Sequence, residues 1–242
     1  MHEASCQHCG KLLGAFPGMA FCPFCGGPLS GEGQANREPE KVLAIVRQLE
    51  ETADPRKKHE LLLRAEAEYP QSLAVAQELL FLGRLYERGG KGVDFSVIKC
   101  HLLMLYLDPG QFSAARRAEM REELFAHPQL LKCLSLSEDE DAFLRMYLIR
   151  LAGEFIRLFL RGDSRYMRRI FGLGMESRAP KLLADPVAAM IVNAVKDENL
   201  SARQQDMLAR TLYQAFSKDM AGETQWMNGN LQKAGINLSN IM

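Results

Sequence analysis

Cys6 and Cys9, then Cys22 and Cys25, form two Cys-x-x-Cys pairs with twelve residues between them, all near the start of a 242-residue chain. A two-residue spacer folds tightly enough to aim both thiolates at one point, so two such pairs offer a tetrahedral four-sulfur site for a single metal ion. Gly10 and Gly26 follow the pairs. A glycine there lets backbone N–H groups turn toward the sulfurs and share their negative charge. Leu12, Leu13, Phe16 and Phe21 flank the segment Phe16-Pro17-Gly18-Met19, which predicts two short strands joined by a turn, and Pro23 stiffens the second pair. About thirty residues bury too little apolar surface to fold alone, so the ion is expected to supply on the order of 10 kcal/mol of this module's stability. Without metal, the module is expected to be disordered.

The runs Cys6-Gln7-His8-Cys9-Gly10-Lys11 and Cys22-Pro23-Phe24-Cys25-Gly26-Gly27-Pro28-Leu29 resemble the zinc-ribbon family, small modules found at the start of many bacterial proteins. The resemblance covers roughly residues 4–30. It implies one structural Zn2+ held by Cys6, Cys9, Cys22 and Cys25, in a module used variously to bind nucleic acid or protein. Rubredoxin-like modules share this spacing around a redox iron, and a four-thiolate tetrahedron by itself admits both metals. In rubrerythrins that module accompanies a di-iron domain with Glu-x-x-His ligands, and Glu-x-x-His occurs nowhere in this sequence. Zinc is therefore favoured, with an iron electron-transfer module as the alternative. Two disulfides would suit a secreted miniprotein, but Met1-His2-Glu3 begins no apolar signal core, so the expectation is a reducing cytoplasm. His8 sits inside a set already complete with four thiolates. Cys100 and Cys133 stand in apolar helical surroundings and read as small buried hydrophobes.

Thirty basic residues against thirty acidic ones, 47% hydrophobic residues and a pI near 7 describe an ordinary globular chain and speak against a general nucleic-acid binder. Residues 1–30 carry only Lys11 against Glu3, and four thiolates plus Zn2+ add a formal charge of about −2, so this ribbon is poorly equipped to hold phosphates. Apolar runs such as 102–107 fall far short of the roughly eighteen residues of a membrane helix.

Residues 31–38, rich in Gly, Gln and Asn without apolar periodicity, read as a flexible linker after a ribbon at 1–30. Residues 39–242 read as an all-helical domain, irregular from about 235, so the fold class is mostly α behind a small zinc-ribbon hairpin. Helix starts are predicted at Asp54-Pro55, at Ser72, at Ser137 with Glu140 as a capping box, at Asp185-Pro186, and at Ser201 with Gln204. Apolar residues recur at three and four spacing, as in Val42, Ile45, Val46 and Leu49. Turns are predicted at Gly89-Gly90, Asp108-Pro109-Gly110, His127-Pro128, Arg161-Gly162-Asp163 and Ala179-Pro180. About eight to eleven helices packed as successive hairpins are expected. Leu79, Leu82, Gly83 and Tyr86, a second amphipathic helix and then Pro109 resemble part of one tetratricopeptide unit, which implies a helical repeat with a protein-binding surface. Gly89 to Gly92 lengthens the turn beyond that family's pattern.

Residues 145–169 hold seven arginines against Glu154 and Asp163, a local charge of about +5. On one continuous helix Arg150, Arg157, Arg161, Arg165 and Arg168 would fall within about 80° of each other at roughly 100° per residue, although Gly162-Asp163 is expected to interrupt it. Such a stripe suits an anion, a phosphate or an acidic partner. It equally suits a solvated face paired with carboxylates of neighbouring helices, which is the commoner use of charge. The acidic run 138–141 falls in a predicted first turn, where the helix dipole favours negative charge. P-loop, HExxH, GxSxG and GxGxxG motifs do not occur, Gly89-Gly90-Lys91-Gly92 lacks the strand and Ser/Thr of a phosphate loop, and the five histidines are scattered. The sequence therefore reads as a non-catalytic zinc-binding adaptor whose helical domain binds a protein or peptide. A nucleic-acid regulator using the arginine stretch is the alternative, and a rubredoxin-like electron carrier the second.

Overall fold

The structure, a computed structural model, describes residues 40–82, 100–161, 181–237 and 239. The four cysteines and the linker lie outside these residues. So do Gly83, Tyr86, the Gly89-Gly90 turn, Gly162-Asp163 and Ala179-Pro180. The described chain is mostly helical and contains no strand. In order come α1 (Glu40–Glu51), α2 (Pro55–Glu68), α3 (Leu73–Leu82), a 3-10 turn at Cys100–Leu103, α4 (Met104–Leu107) and a 3-10 turn at Pro109–Gln111. Then follow α5 (Ala114–Phe125), α6 (Pro128–Leu136), α7 (Glu140–Arg161), α8 (Lys181–Val195), α9 (Ala202–Asp219), a 3-10 turn at Ala221–Glu223 and α10 (Thr224–Lys233). None of the described helices is long and apolar enough to cross a membrane.

Helix boundaries follow capping chemistry at most predicted positions. The Asp54 carboxylate accepts from the Arg56 amide and Pro55 takes the first position of α2, where its missing N–H costs nothing. Ser72, buried, accepts from the Val75 amide ahead of α3. Ser201 and Gln204 form a reciprocal capping box at α9. Chain reversal after α10 requires a glycine: Gly235 has φ 79°, its amide donates to the Gln232 carbonyl, and the Ile236 amide reaches back to Leu231, so the last carbonyls of the helix are satisfied.

Two predicted starts differ in the structure. The first turn of α7 is capped by Asp139, which accepts from the Ala142 amide, while Ser137 accepts from the Asp139 amide and so orders the approach instead of forming a box with Glu140. Asp139 wins because it sits three residues ahead of an unsatisfied amide and carries a full charge at the positive end of the helix. Asp185-Pro186 does not begin a helix: Pro186 lies inside α8. Helix propagates through it, and the side chain of Asp185 is engaged elsewhere, as described below.

Contacts divide the described residues into two compact units, one holding residues 40–82 and 128–146, the other 100–127, 147–161, 181–237 and 239, with the division inside α7 between Met146 and Tyr147. In the first, α1, α2 and α3 pack on one another around Val42, Leu49, Leu62, Ala65, Val75 and Leu79. Helix α3 is apolar nearly all round, with Ala74, Val75, Ala76, Leu79, Leu80 and Phe81 all buried, and α6 covers a further side of it. Gln129 of α6 donates to the Ala76 carbonyl at 3.1 Å, and Lys132 meets Glu66 of α2 at 2.8 Å. In the second unit α8 packs against α4, α9 and α10. Three alanines on α8, Ala184, Ala188 and Ala194, are buried, which lets its neighbours approach closely.

Core positions should dominate stability. Phe216→Ala, at a fully buried site, is expected to cost about 3–5 kcal/mol and Ser201→Ala about 1 kcal/mol, whereas Leu63→Ala, half exposed on α2, should change stability by less than about 0.5 kcal/mol. Urea unfolding of the three variants checks this order.

Candidate functional site

Cys6, Cys9, Cys22 and Cys25, the residues whose chemistry is most specific, lie outside the described residues, as do Arg165 and Arg168. Among the described residues no group of three or more His, Cys, Asp or Glu side chains is placed to hold a metal ion. Cys133, on α6, is fully buried, as its apolar surroundings predict. His59, His101 and His127 lie on three different elements: within α2, in the 3-10 turn before α4, and between α5 and α6.

Helix α7 runs unbroken to Arg161. That continuity places Arg150, Arg157 and Arg161 on one stripe, within about 40° of rotation and along roughly 16 Å of axis. Leu148, Leu151 and Phe155 are buried on the other side of the helix and fix its rotation, and Arg150 is exposed. Arg150 is therefore a surface residue of a helix anchored by its apolar residues.

The second unit also holds a polar cluster that sequence spacing does not reveal. Arg121 on α5 meets Asp197, in the α8–α9 connection, through Nε and Oδ2 at 2.6 Å, with side chains only 17% and 8% exposed. Asp197 also accepts from the amide and side chain of Asn199, and its carbonyl receives the Leu200 amide and Gln205 Nε2. Burial works to raise the Asp197 carboxyl, but hydrogen bonds from Arg121 and Asn199 outweigh it and hold the group below the usual carboxylate range. Beside the pair lies Tyr106, whose buried hydroxyl completes no hydrogen bond of good geometry. Burial, reinforced by the Asp197 charge and partly offset by Arg121, pushes that phenol well above its ordinary value. Asn193 of α8 donates to the Tyr106 carbonyl at 2.8 Å and so satisfies an end of the short α4. Every member of the cluster ties α4, α5 or the α8–α9 connection together, so its chemistry is that of a structural staple.

A third feature is Trp226, the single tryptophan, on α10. It is 51% exposed, and its indole Nε1–H donates to Asp185 Oδ1 at 3.1 Å, an oxygen that also accepts from Asn230 Nδ2. Leu63 and Leu131 are the other large apolar side chains found exposed among the described residues.

Compared with known proteins, the chain matches no family model, no curated protein and no solved structure.

The Arg121–Asp197 staple has a defined pH signature. Because folding lowers the Asp197 pKa, the unfolded chain binds the extra proton first. The stabilisation is complete above the ordinary carboxylate range and is lost as pH falls through that range toward the lower folded value. Arg121→Ala should cost roughly 2–3 kcal/mol at neutral pH and flatten this acid limb. Urea midpoints at pH 7 and pH 3, compared between wild type and variant, measure both effects.

Proposed function

We propose that the chain is a zinc-binding, non-catalytic adaptor, with a metal-stabilised N-terminal ribbon tethered to a helical domain that binds a protein or peptide. The observation that carries this reading is the double Cys-x-x-Cys spacing of Cys6, Cys9, Cys22 and Cys25, a donor set whose softness and number suit one tetrahedral zinc. Four thiolates leave no open position on the ion, so its contribution is to fold the ribbon and not to activate water. Metal binding to an otherwise unfolded segment makes the ion's affinity the ribbon's folding energy. The mostly helical remainder, without any catalytic motif in the sequence, supports a role through surface contact.

The unbroken α7 aligns Arg150, Arg157 and Arg161, and a row of guanidinium groups is suited to phosphates. On this second reading the helical domain, and not the weakly charged ribbon, contacts nucleic acid.

Elemental analysis of the purified chain with its visible spectrum decides the metal. One zinc per chain in a colourless protein is expected, and one iron with red thiolate charge-transfer absorption would replace the adaptor by an electron carrier. Cys6→Ser/Cys22→Ser should abolish metal binding while the helical circular dichroism melt stays within a few degrees of wild type; helices that melt with the metal would overturn the tether. Binding of mixed DNA or RNA at moderate salt, lost in Arg150→Glu/Arg157→Glu, would favour the second reading, and no binding would leave the first.

A further inference from the structure

The dipeptide Asp-Pro occurs at 54–55, 108–109 and 185–186. At the first two places it does what its chemistry prescribes. Asp54 accepts from the Arg56 amide with Pro55 opening α2, and Asp108 accepts from the Gly110 amide with Pro109 opening a 3-10 turn. At the third, the same pair lies inside α8, four and five residues past its first residue Lys181. Pro186 has no N–H, so the Leu182 carbonyl is left without its helical donor, and the turn 181–185 is joined to the rest of α8 by a depleted ladder. The Asp185 carboxylate, free of capping duty, reaches across to α10 and accepts from Trp226 and Asn230.

This carboxylate has two incompatible uses. It can clasp α10 while α8 starts at Lys181, or it can cap a shorter α8 that starts at Pro186, its oxygens accepting there from the Val187 and Ala188 amides. The shorter form carries the same Asp cap and N1 proline seen at α2. We infer that α8 has two alternative starts, a long one latched to α10 through Asp185 and a short one in which Asp185 becomes the N-cap, residues 181–184 leave the helix and the edge of Trp226 is released. Two arrangements of one segment, each with its own hydrogen bonds, make a two-state element that anything touching Trp226 or Asp185 would bias.

Amide hydrogen exchange followed by NMR on the full chain tests the switch, because the two forms protect different groups. In the long form the Asp185 amide bonds to the Lys181 carbonyl. In the short form that amide is open, while those of Val187 and Ala188 stay held by the cap. A helix end that merely frays opens from Lys181 inward and independently of the latch, so its gap would not respond to Asn230→Ala. The expected result is exchange at Asp185 at least about tenfold faster than at Val187 and Ala188, with the gap reduced about tenfold or more by Pro186→Ala, which restores the ladder donor. Asn230→Ala, which removes one arm of the latch, should widen the gap several-fold and shift the emission of Trp226, whereas Pro186→Ala should fix it. Joint exchange of the three amides, or a gap that Asn230→Ala does not move, would overturn the inference. Should Pro186→Ala fail to fold, Asn230→Ala decides alone.

Discussion

A helix whose apolar residues run round most of its circumference is stable only when several neighbours cover it, and each unit is organised by one such helix. Helix α3 fills this place in the first unit, where α1, α2 and α6 lie against it, and α8 fills it in the second, against α4, α9 and α10. The requirement to bury these two helices explains features that propensity does not. Helix α4 has only four residues, far below the length at which a helix is stable alone, yet it persists because Leu105 and Tyr106 are buried and Asn193 satisfies the Tyr106 carbonyl from α8. The wide apolar face of α8 likewise carries the helix through a proline that local preference would place at its start.

Much of the helical framework is legible in the sequence because caps and periodicity are local. Val42 and Leu49 are buried at the spacing read from the sequence, with Ile45 and Val46 packed against the same cluster. Asp54, Ser72 and Ser201 cap where their neighbours predict, the turn at 108–110 joins α4 to α5 through a 3-10 turn, and the one at 127–128 joins α5 to α6 with Pro128 opening the helix. The two misplaced starts share a cause. Near Ser137 two candidate caps lie two residues apart, and the choice falls on the one whose oxygen reaches the Ala142 amide and whose charge the helix dipole favours. At Asp185 the deciding partners are 41 and 45 residues away.

The same distinction between local and distant information governs the site. Four cysteines announce themselves because their ligand geometry is written in short spacing. The Arg121–Asp197 pair spans 76 residues and joins residue types found all over the surface, so no spacing rule could select it. Its hint was indirect: Ser201 with Gln204 marked where α9 begins, and the polar residues just before it had to be accommodated against whatever packs on that connection. The arginine row is an intermediate case. Its period is visible in the sequence, but only an unbroken α7 turns period into alignment, and that continuity is supplied by Leu148, Leu151 and Phe155 on the buried side.

The buried staple and the exposed latch show why similar groups behave differently. Both pair an aspartate in or beside α8 with donors on another element, but Asp197 is 8% exposed in its side chain whereas Asp185 is exposed. Removing Arg121 would strand a desolvated carboxylate, so the staple resists opening and its loss is felt by the whole unit. Opening the latch strands nothing, because water or the amides of α8 itself can take over the Asp185 oxygens. Rigidity in the second unit therefore resides where charge is desolvated, and freedom resides where a solvated carboxylate has a second use.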